Sequence, residues 1–209
     1  MDRNCSIEFR GESSLILTFT EIKIYCQYTR SQNQQYILAF YDGDPFNHIS
    51  GHRKKGNGYY FLINNNELVV LGQIERPNDG KIANNGFFIL NDWLFNDKTV
   101  SVAYAFDNYG NLLIKKRLKA NLLMNSISAS GNYCLFKTAN SDTADNSILI
   151  LYDLYAKTLV WKKKFTFRNP RFLTIEDSNC IMLNYLDRIL ILDWNFNPLR
   201  TEQRHLPEV

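Results

Sequence analysis

A chain of 209 residues, 45% hydrophobic and 22% charged, is long enough to bury a substantial core and too apolar to remain disordered. Its formal charge of +3, from 24 basic and 21 acidic side chains, is too small to argue by itself for nucleic acid or a membrane surface as partner. No apolar run approaches the ~20 residues of a membrane span, and the start MDRNCSIEFRGESS lacks the apolar stretch of a secretion signal. The chain is therefore expected to be cytoplasmic, without a membrane partner. Cys5, Cys26, Cys134 and Cys180 lie far apart, with no CxxC or His spacing, so they read as thiols of a reducing compartment rather than zinc ligands. The 14 Phe and 12 Tyr suit strands better than helices.

In chain order, Cys5 to Phe9, Leu15 to Phe19 and Ile22 to Tyr28 read as strands, the first two joined by a turn at Gly11-Glu12-Ser13-Ser14. A unit then recurs: a polar turn, an apolar strand, a loop, a strand ending in Asp or Asn, a tight turn and a last strand. Its first copy runs through QYILAFYD (35–42), YYFLIN (59–64) and ELVVLGQI (67–74). The second runs through FFILND (87–92), VSVAYAFD (100–107) and NYGNLLIKKRL (108–118). The third has SISASGNYCLFKT, SILILYD and LYAKTLVWKKKF, and the fourth TIEDSNCIMLN, RILILD and WNFNPLRTE. Loop 42–58, DGDPFNHISGHRKKGNG, is the longest insertion and is expected at the surface.

The strand-ending residues Asn64, Asp107, Asp153 and Asp193 are 43, 46 and 40 positions apart. That period, with short β-branched or aromatic runs and no 3.6-residue apolar spacing, predicts repeated small sheets rather than helical repeats. Each Asp or Asn can bond its own downstream backbone, and Gly110 can take a positive φ in such a turn. AFDNYGNLL, LYDLYAKTLVWKK and LDWNFNPL resemble the outer hairpins of WD40-like and quinoprotein-like β-propeller blades, and SISASGNYCLF resembles the segment that starts their inner strands. The resemblance covers roughly residues 25–203. It implies an all-β chain, residues 1–209, forming a single small propeller of four to five blades, with N-terminal strands 4–29 available to complete the last blade. A two-sheet β-sandwich is the alternative.

The densest stretch is Glu75 to Phe95, ERPNDGKIANNGFFILNDWLF. Pro77 and Gly80 read as a Pro-Asn-Asp-Gly turn, and Asn84-Asn85-Gly86 as a second turn before the apolar run. RPNDGKIANNG resembles the RxNDGK…G segment of gluconolactonase and senescence-marker-like propellers. That resemblance implies Asn78 as a divalent-metal ligand, Arg76 as a substrate contact and Glu12, in a Gly-Glu-x segment, as a second ligand. Oxygen donors of this type suit calcium. Asn125 and Asp177 are position-compatible with the remaining ligands. Asn91-Asp92-Trp93 follows a strand, where a functional loop begins. Asp92 can equally cap a turn and Trp93 pack between blades.

His48, His52 and His205 have no recognisable acid partner, and the loop 140–146, NSDTADN, lacks the spacing of a calcium loop. No nucleophile elbow, phosphate loop or dinucleotide fingerprint is present in the sequence. The leading expectation is a non-catalytic module that binds a protein or peptide through Arg76, Asn78, Asp79, Asn91, Asp92 and Trp93, without a cofactor. The alternatives are a lactone or ester hydrolase using calcium or another divalent cation, and a polyanion-binding surface. The last would use His52-Arg53-Lys54-Lys55, Lys115-Lys116-Arg117 with Lys119, and Lys162-Lys163-Lys164, clusters that also serve as solvated strand edges. On the overall charge, nucleic acid is not expected as a ligand.

Overall fold

The computed structural model describes residues 5–49, 54–94 and 99–203. Eighteen strands are defined among them. The strands β1 (Ser6–Phe9), β2 (Ser14–Phe19), β3 (Ile22–Arg30), β4 (Tyr36–Tyr41), β5 (Gly58–Asn64) and β6 (Glu67–Ile74) form a first sheet in that order. The second sheet contains β7 (Pro77–Ile82), β8 (Phe88–Asp92), β9 (Ser101–Phe106) and β10 (Leu112–Leu118). The third contains β11 (Leu122–Ile127), β12 (Tyr133–Thr138), β13 (Ile148–Asp153) and β14 (Thr158–Lys164). The fourth contains β15 (Phe172–Glu176), β16 (Cys180–Asn184), β17 (Arg188–Asp193) and β18 (Pro198–Gln203). All pairings in these sheets are antiparallel.

Four sheets, rather than two, replace the sandwich alternative. The reason lies in the apolar runs: nearly every residue of SILILYD is apolar because both faces of its strand are covered. Ile148 and Ile150 face the second sheet through a cluster with Ile89, Ala103 and Ala105, whereas Leu149 and Leu151 face the fourth through Leu173, Ile175 and Ile181. A similar cluster seats Leu38, Phe40 and Leu62 of the first sheet against Phe88, Leu90 and Phe106 of the second. Successive side chains of a strand point to opposite faces, so one run serves two interfaces. Thr29, Arg30, Lys81, Ile82, Asn125, Ser126, Leu173 and Thr174, from β3, β7, β11 and β15, line one shared cavity of about 270 Å³.

The turns at the far ends of these inner strands also latch to one another. Asn33 N–H donates to Asn84 Oδ1 at 2.8 Å, Asn84 N–H to the Ala129 carbonyl at 2.8 Å, and Ser130 N–H to Asp177 Oδ2 at 3.0 Å. The Asx-turn expectation holds at the three Asp, whereas Asn64 Oδ1 instead accepts from Gln35 Nε2 at 3.3 Å. Asp107 Oδ1 accepts from the amides of Tyr109 and Asn111, Asp193 Oδ1 from those of Asn195 and Asn197, and Asp153 Oδ1 from Ala156. Gly110 takes φ +83°, as its turn requires.

Two expectations are corrected. Strand β3 serves two partners, pairing with β2 along 22–27 and with β4 along 27–30, so the N-terminal strands are hydrogen-bonded into the first sheet. The fourth sheet already has four strands from 172–203, and the N-terminal strands add none to it. Their apolar residues Leu15, Leu17, Ile24 and Cys26 instead join Ile37, Ala39 and Phe61 in one cluster. Second, Pro77-Asn78-Asp79-Gly80 is not a turn but the first part of β7, and Gly80 has no positive φ. Gly80 is required by close approach: a Cβ there would lie 2.8 Å from the Ile89 carbonyl and 2.8 Å from Leu38 Cδ2 of the neighbouring sheet. Gly80→Ala is therefore expected to cost about 1–3 kcal/mol by overpacking, read as a lower midpoint in urea denaturation.

Candidate interaction surface

The inner strands β7, β11 and β15 begin at one end of the molecule. The loops that follow β4, β8, β12 and β16, as far as they are described, lie at this end, whereas the opposite end carries tight turns. Residues 50–53 and 95–98 of the first two loops, with His52 and Arg53 of the basic cluster, lie outside the described residues, as does His205. The first loop opens with a 3-10 turn, Pro45–Asn47, capped by Asp44, and its Phe46 packs edge-on against Phe19 and Tyr59.

Asp92 is fully buried where β8 ends. Its Oδ1 accepts the Arg76 amide at 2.8 Å and the Leu94 amide at 3.1 Å, and its Oδ2 accepts the Glu75 amide at 3.1 Å. Burial pushes this carboxyl up from its ordinary range; the three amides pull the other way, and the Glu75 charge adds to the rise. The connection from β6 to β7 is thus tied to the end of β8 by one side chain. Arg76 is held in turn by Asp42, with Nε and Nη2 3.0 and 2.9 Å from Asp42 Oδ2.

Asn78 and Trp93 close the same corner. The surrounding donors and acceptors assign the Asn78 amide the orientation in which its nitrogen donates to the Asn91 carbonyl at 2.9 Å and its oxygen accepts from Trp93 Nε1 at 3.0 Å. The indole N–H also reaches the Leu122 carbonyl, at 2.9 Å, where β11 begins. Trp93 therefore bridges the second and third sheets while 43% of its surface stays exposed. Asp79 pairs with Lys81 at 2.9 Å on the inner strand.

The structure brings Arg76, Asn78, Asn91, Asp92 and Trp93 together, but not all at the surface. Asn91 and Asp92, expected as contacts, are buried, because they end a strand covered on both faces. Asp92 holds the corner through its side chain; Asn91 contributes its carbonyl, and its side-chain oxygen is buried without a hydrogen-bond partner. Glu12 is exposed in the β1–β2 turn, which is anchored by Tyr28 hydroxyl donation to the Gly11 carbonyl, and no described contact joins it to Asn78. Asp177 accepts from Ser130 in the latch at the opposite end. Asn125 lies on β11, and both its side-chain polar atoms are buried without a protein partner. Among the described residues, no three His, Cys, Asp or Glu side chains cluster as metal ligands. Cys26 and Cys134 are buried free thiols whose pKa is pushed up by burial, further from a nucleophile.

Sequence reasoning missed Lys137. It reads as an ordinary strand cation in NYCLFKT, yet it is fully buried on β12, with Nζ 3.3 Å from the Thr138 carbonyl and 4.7 Å from the Phe165 ring centre. Burial pushes its ammonium down to about 8. The signal available was the alternation, which puts position 137 on the same face as Leu135.

The chain aligns over 85% of its length with the Neurospora crassa Pan2 WD40 domain, at 13% identity and a TM-score of 0.50. Its fold is that of WD40-like β-propeller domains. A quinoprotein-like likeness accompanies it: Kuenenia stuttgartiensis hydrazine synthase matches over 91% of this chain at 11% identity and a TM-score of 0.53. A complex of KlAtg21 with the coiled-coil of AgAtg16 matches over 87% at 11% identity and a TM-score of 0.56. The chain spans 49%, 68% and 59% of those three structures, respectively. No protein-family model and no curated protein sequence matches it. The comparisons do not show the resemblance of residues 76–86 to gluconolactonase-type propellers. Among the described residues, no helix is long and apolar enough to cross a membrane.

Proposed function

We propose that this chain is a non-catalytic propeller module of four to five blades that binds a protein or peptide through the end carrying Trp93, Arg76 and Asp79. The observation that carries this reading is the half-exposed Trp93, whose single indole N–H lies between the Leu122 carbonyl and the Asn78 side chain on two neighbouring strands. A rigid aromatic at low entropic cost, beside charged groups, has the form of an interaction hot spot. Two of the polar side chains around it are already committed, Asp92 to three amides and Asn78 to Asn91 and Trp93. Such commitment favours a positioned surface over a reacting centre. The complex of KlAtg21 with a coiled coil supports protein partners for a fold of this kind.

Quantitative co-purification of the tagged chain from cell extract tests the reading. Trp93→Ala is expected to deplete specific partners about tenfold or more, the scale of losing one hot-spot aromatic. Tyr155→Ala, exposed in a turn at the opposite end, is expected to leave them bound. Equal depletion by both variants, or by neither while circular dichroism shows both folded, would overturn the assignment of this end.

A further inference from the structure

We propose that the outer edge formed by β10 and β14 docks an acidic, extended protein segment, which adds to β14 as an extra strand. Each of these strands is the last in its sheet, so among the described residues one side of its backbone has no strand partner. Both carry cations near the same end: Lys115, Lys116, Arg117 and then Lys119 in one case, Lys162 and Lys164 in the other, all exposed. The loop 139–147 draws the two sets together. Asp145 accepts the Lys119 amide at 2.7 Å and Lys162 Nζ at 2.8 Å, while Lys164 Nζ donates to the Asn146 carbonyl at 2.7 Å. Burial alone would raise the Asp145 carboxyl, yet Lys162, the Lys119 amide and the charge of Lys116 together hold it below its ordinary range. One carboxylate, bonded by the Lys162 ammonium and lying in the field of Lys116, thus sits among six exposed cations, leaving a net positive strip.

The chemistry of the strip favours polypeptide over nucleic acid. Leu159 and Val160 on β14 are 52% and 41% exposed, giving an extended peptide apolar contacts that a sugar-phosphate chain would not match. The rings beside the cations are already engaged: Lys115 lies 5.5 Å from the Tyr104 ring centre, and Lys163 lies 5.2 Å from Trp161 and 5.6 Å from Phe196. Among the described residues, the exposed rings of Tyr109 and Tyr155 lie in the turns at the far ends of these strands, away from the cations, rather than as a base-stacking platform of the kind that single strands use. The same lysines repel a second copy of β14, so the edge selects an acidic strand against a like one. This strip lies on the outer strands, and its test fails or succeeds independently of the Trp93 surface.

Fluorescence anisotropy with a labelled peptide of about ten alternating Glu and Val residues tests the proposal. Binding is expected to weaken from about 50 to 200 mM salt, and about tenfold or more in the double variant Lys116→Glu/Lys164→Glu. Amide hydrogen exchange of residues 158–164 is expected to slow when the peptide is bound. Lys116→Ala/Lys164→Ala, which removes charge without reversing it, should give a smaller loss in the same direction if the double reversal disturbs folding. The proposal is overturned if the peptide does not bind, if binding ignores these variants, or if β14 amides gain no protection. It is equally overturned if a thymidine oligonucleotide or phosphatidylserine vesicles bind as tightly as the peptide.

Discussion

Lys137→Met is expected to stabilise the protein by on the order of 2 kcal/mol at pH 7, raising the melting temperature by about 4–8 °C for a chain of this size. The ammonium is fully buried between the third and fourth sheets, and burial pushes its pKa from 10.5 down to about 8. Methionine has a similar length and shape but no charge to desolvate. The lost contacts, one carbonyl oxygen and the Phe165 ring, offset only part of the gain. The pH dependence fixes the sign. Between pH 8 and 10.5 the unfolded chain holds more protons on this lysine than the folded one, so wild-type stability contributed by this group rises across that window. The advantage of the methionine variant should therefore be full below pH 8 and fade towards pH 10.5. Urea denaturation of both proteins at several pH values measures it, and a variant less stable at pH 7 would contradict the argument.

Asp92→Ala is expected to act in the opposite direction, costing about 3–5 kcal/mol. The carboxyl is the acceptor for the amides of Glu75, Arg76 and Leu94, and alanine would leave those donors without it in a buried corner. Asp92→Asn should cost less, because an amide oxygen can retain the two bonds made by Oδ1 while its NH2 group faces the Glu75 amide. Since burial raises this carboxyl, the folded state holds the proton more tightly than the unfolded one. Its stabilising contribution is then fully present below the ordinary Asp value near 3.8 and diminishes as pH rises through the folded value. Asp92→Asn, unable to ionise, should lack that decline. Thermal melts of the three proteins from acid to neutral pH separate these effects.

The fold was legible where local chemistry and the repeat agree. Asp107, Asp153 and Asp193 mark hairpins because their carboxylates bond amides two to four residues downstream, a rule that acts within the turn itself. The runs ILAFY and ILILY announce strands covered on both faces. Residues 77–80 misled because Pro, Asn, Asp and Gly together read as a turn. Gly80 is set instead by Leu38, more than forty positions earlier, and by the carbonyl of Ile89. Within the candidate surface, proximity of Arg76 to Asp92 and Trp93 followed from adjacent strands, but which side chains stay exposed depended on packing by a neighbouring sheet. Lys137 was hidden for the same reason.

Isothermal titration of calcium into the wild-type protein and Asn78→Ala tests the central claim, that this corner is built to present a surface rather than to hold a reacting ion. The account predicts no saturable heat in the wild type, with Asn78→Ala altering stability alone, since the Asn78 side chain is already taken up by Asn91 and Trp93. A stoichiometric calcium heat that disappears in a folded Asn78→Ala variant would contradict it.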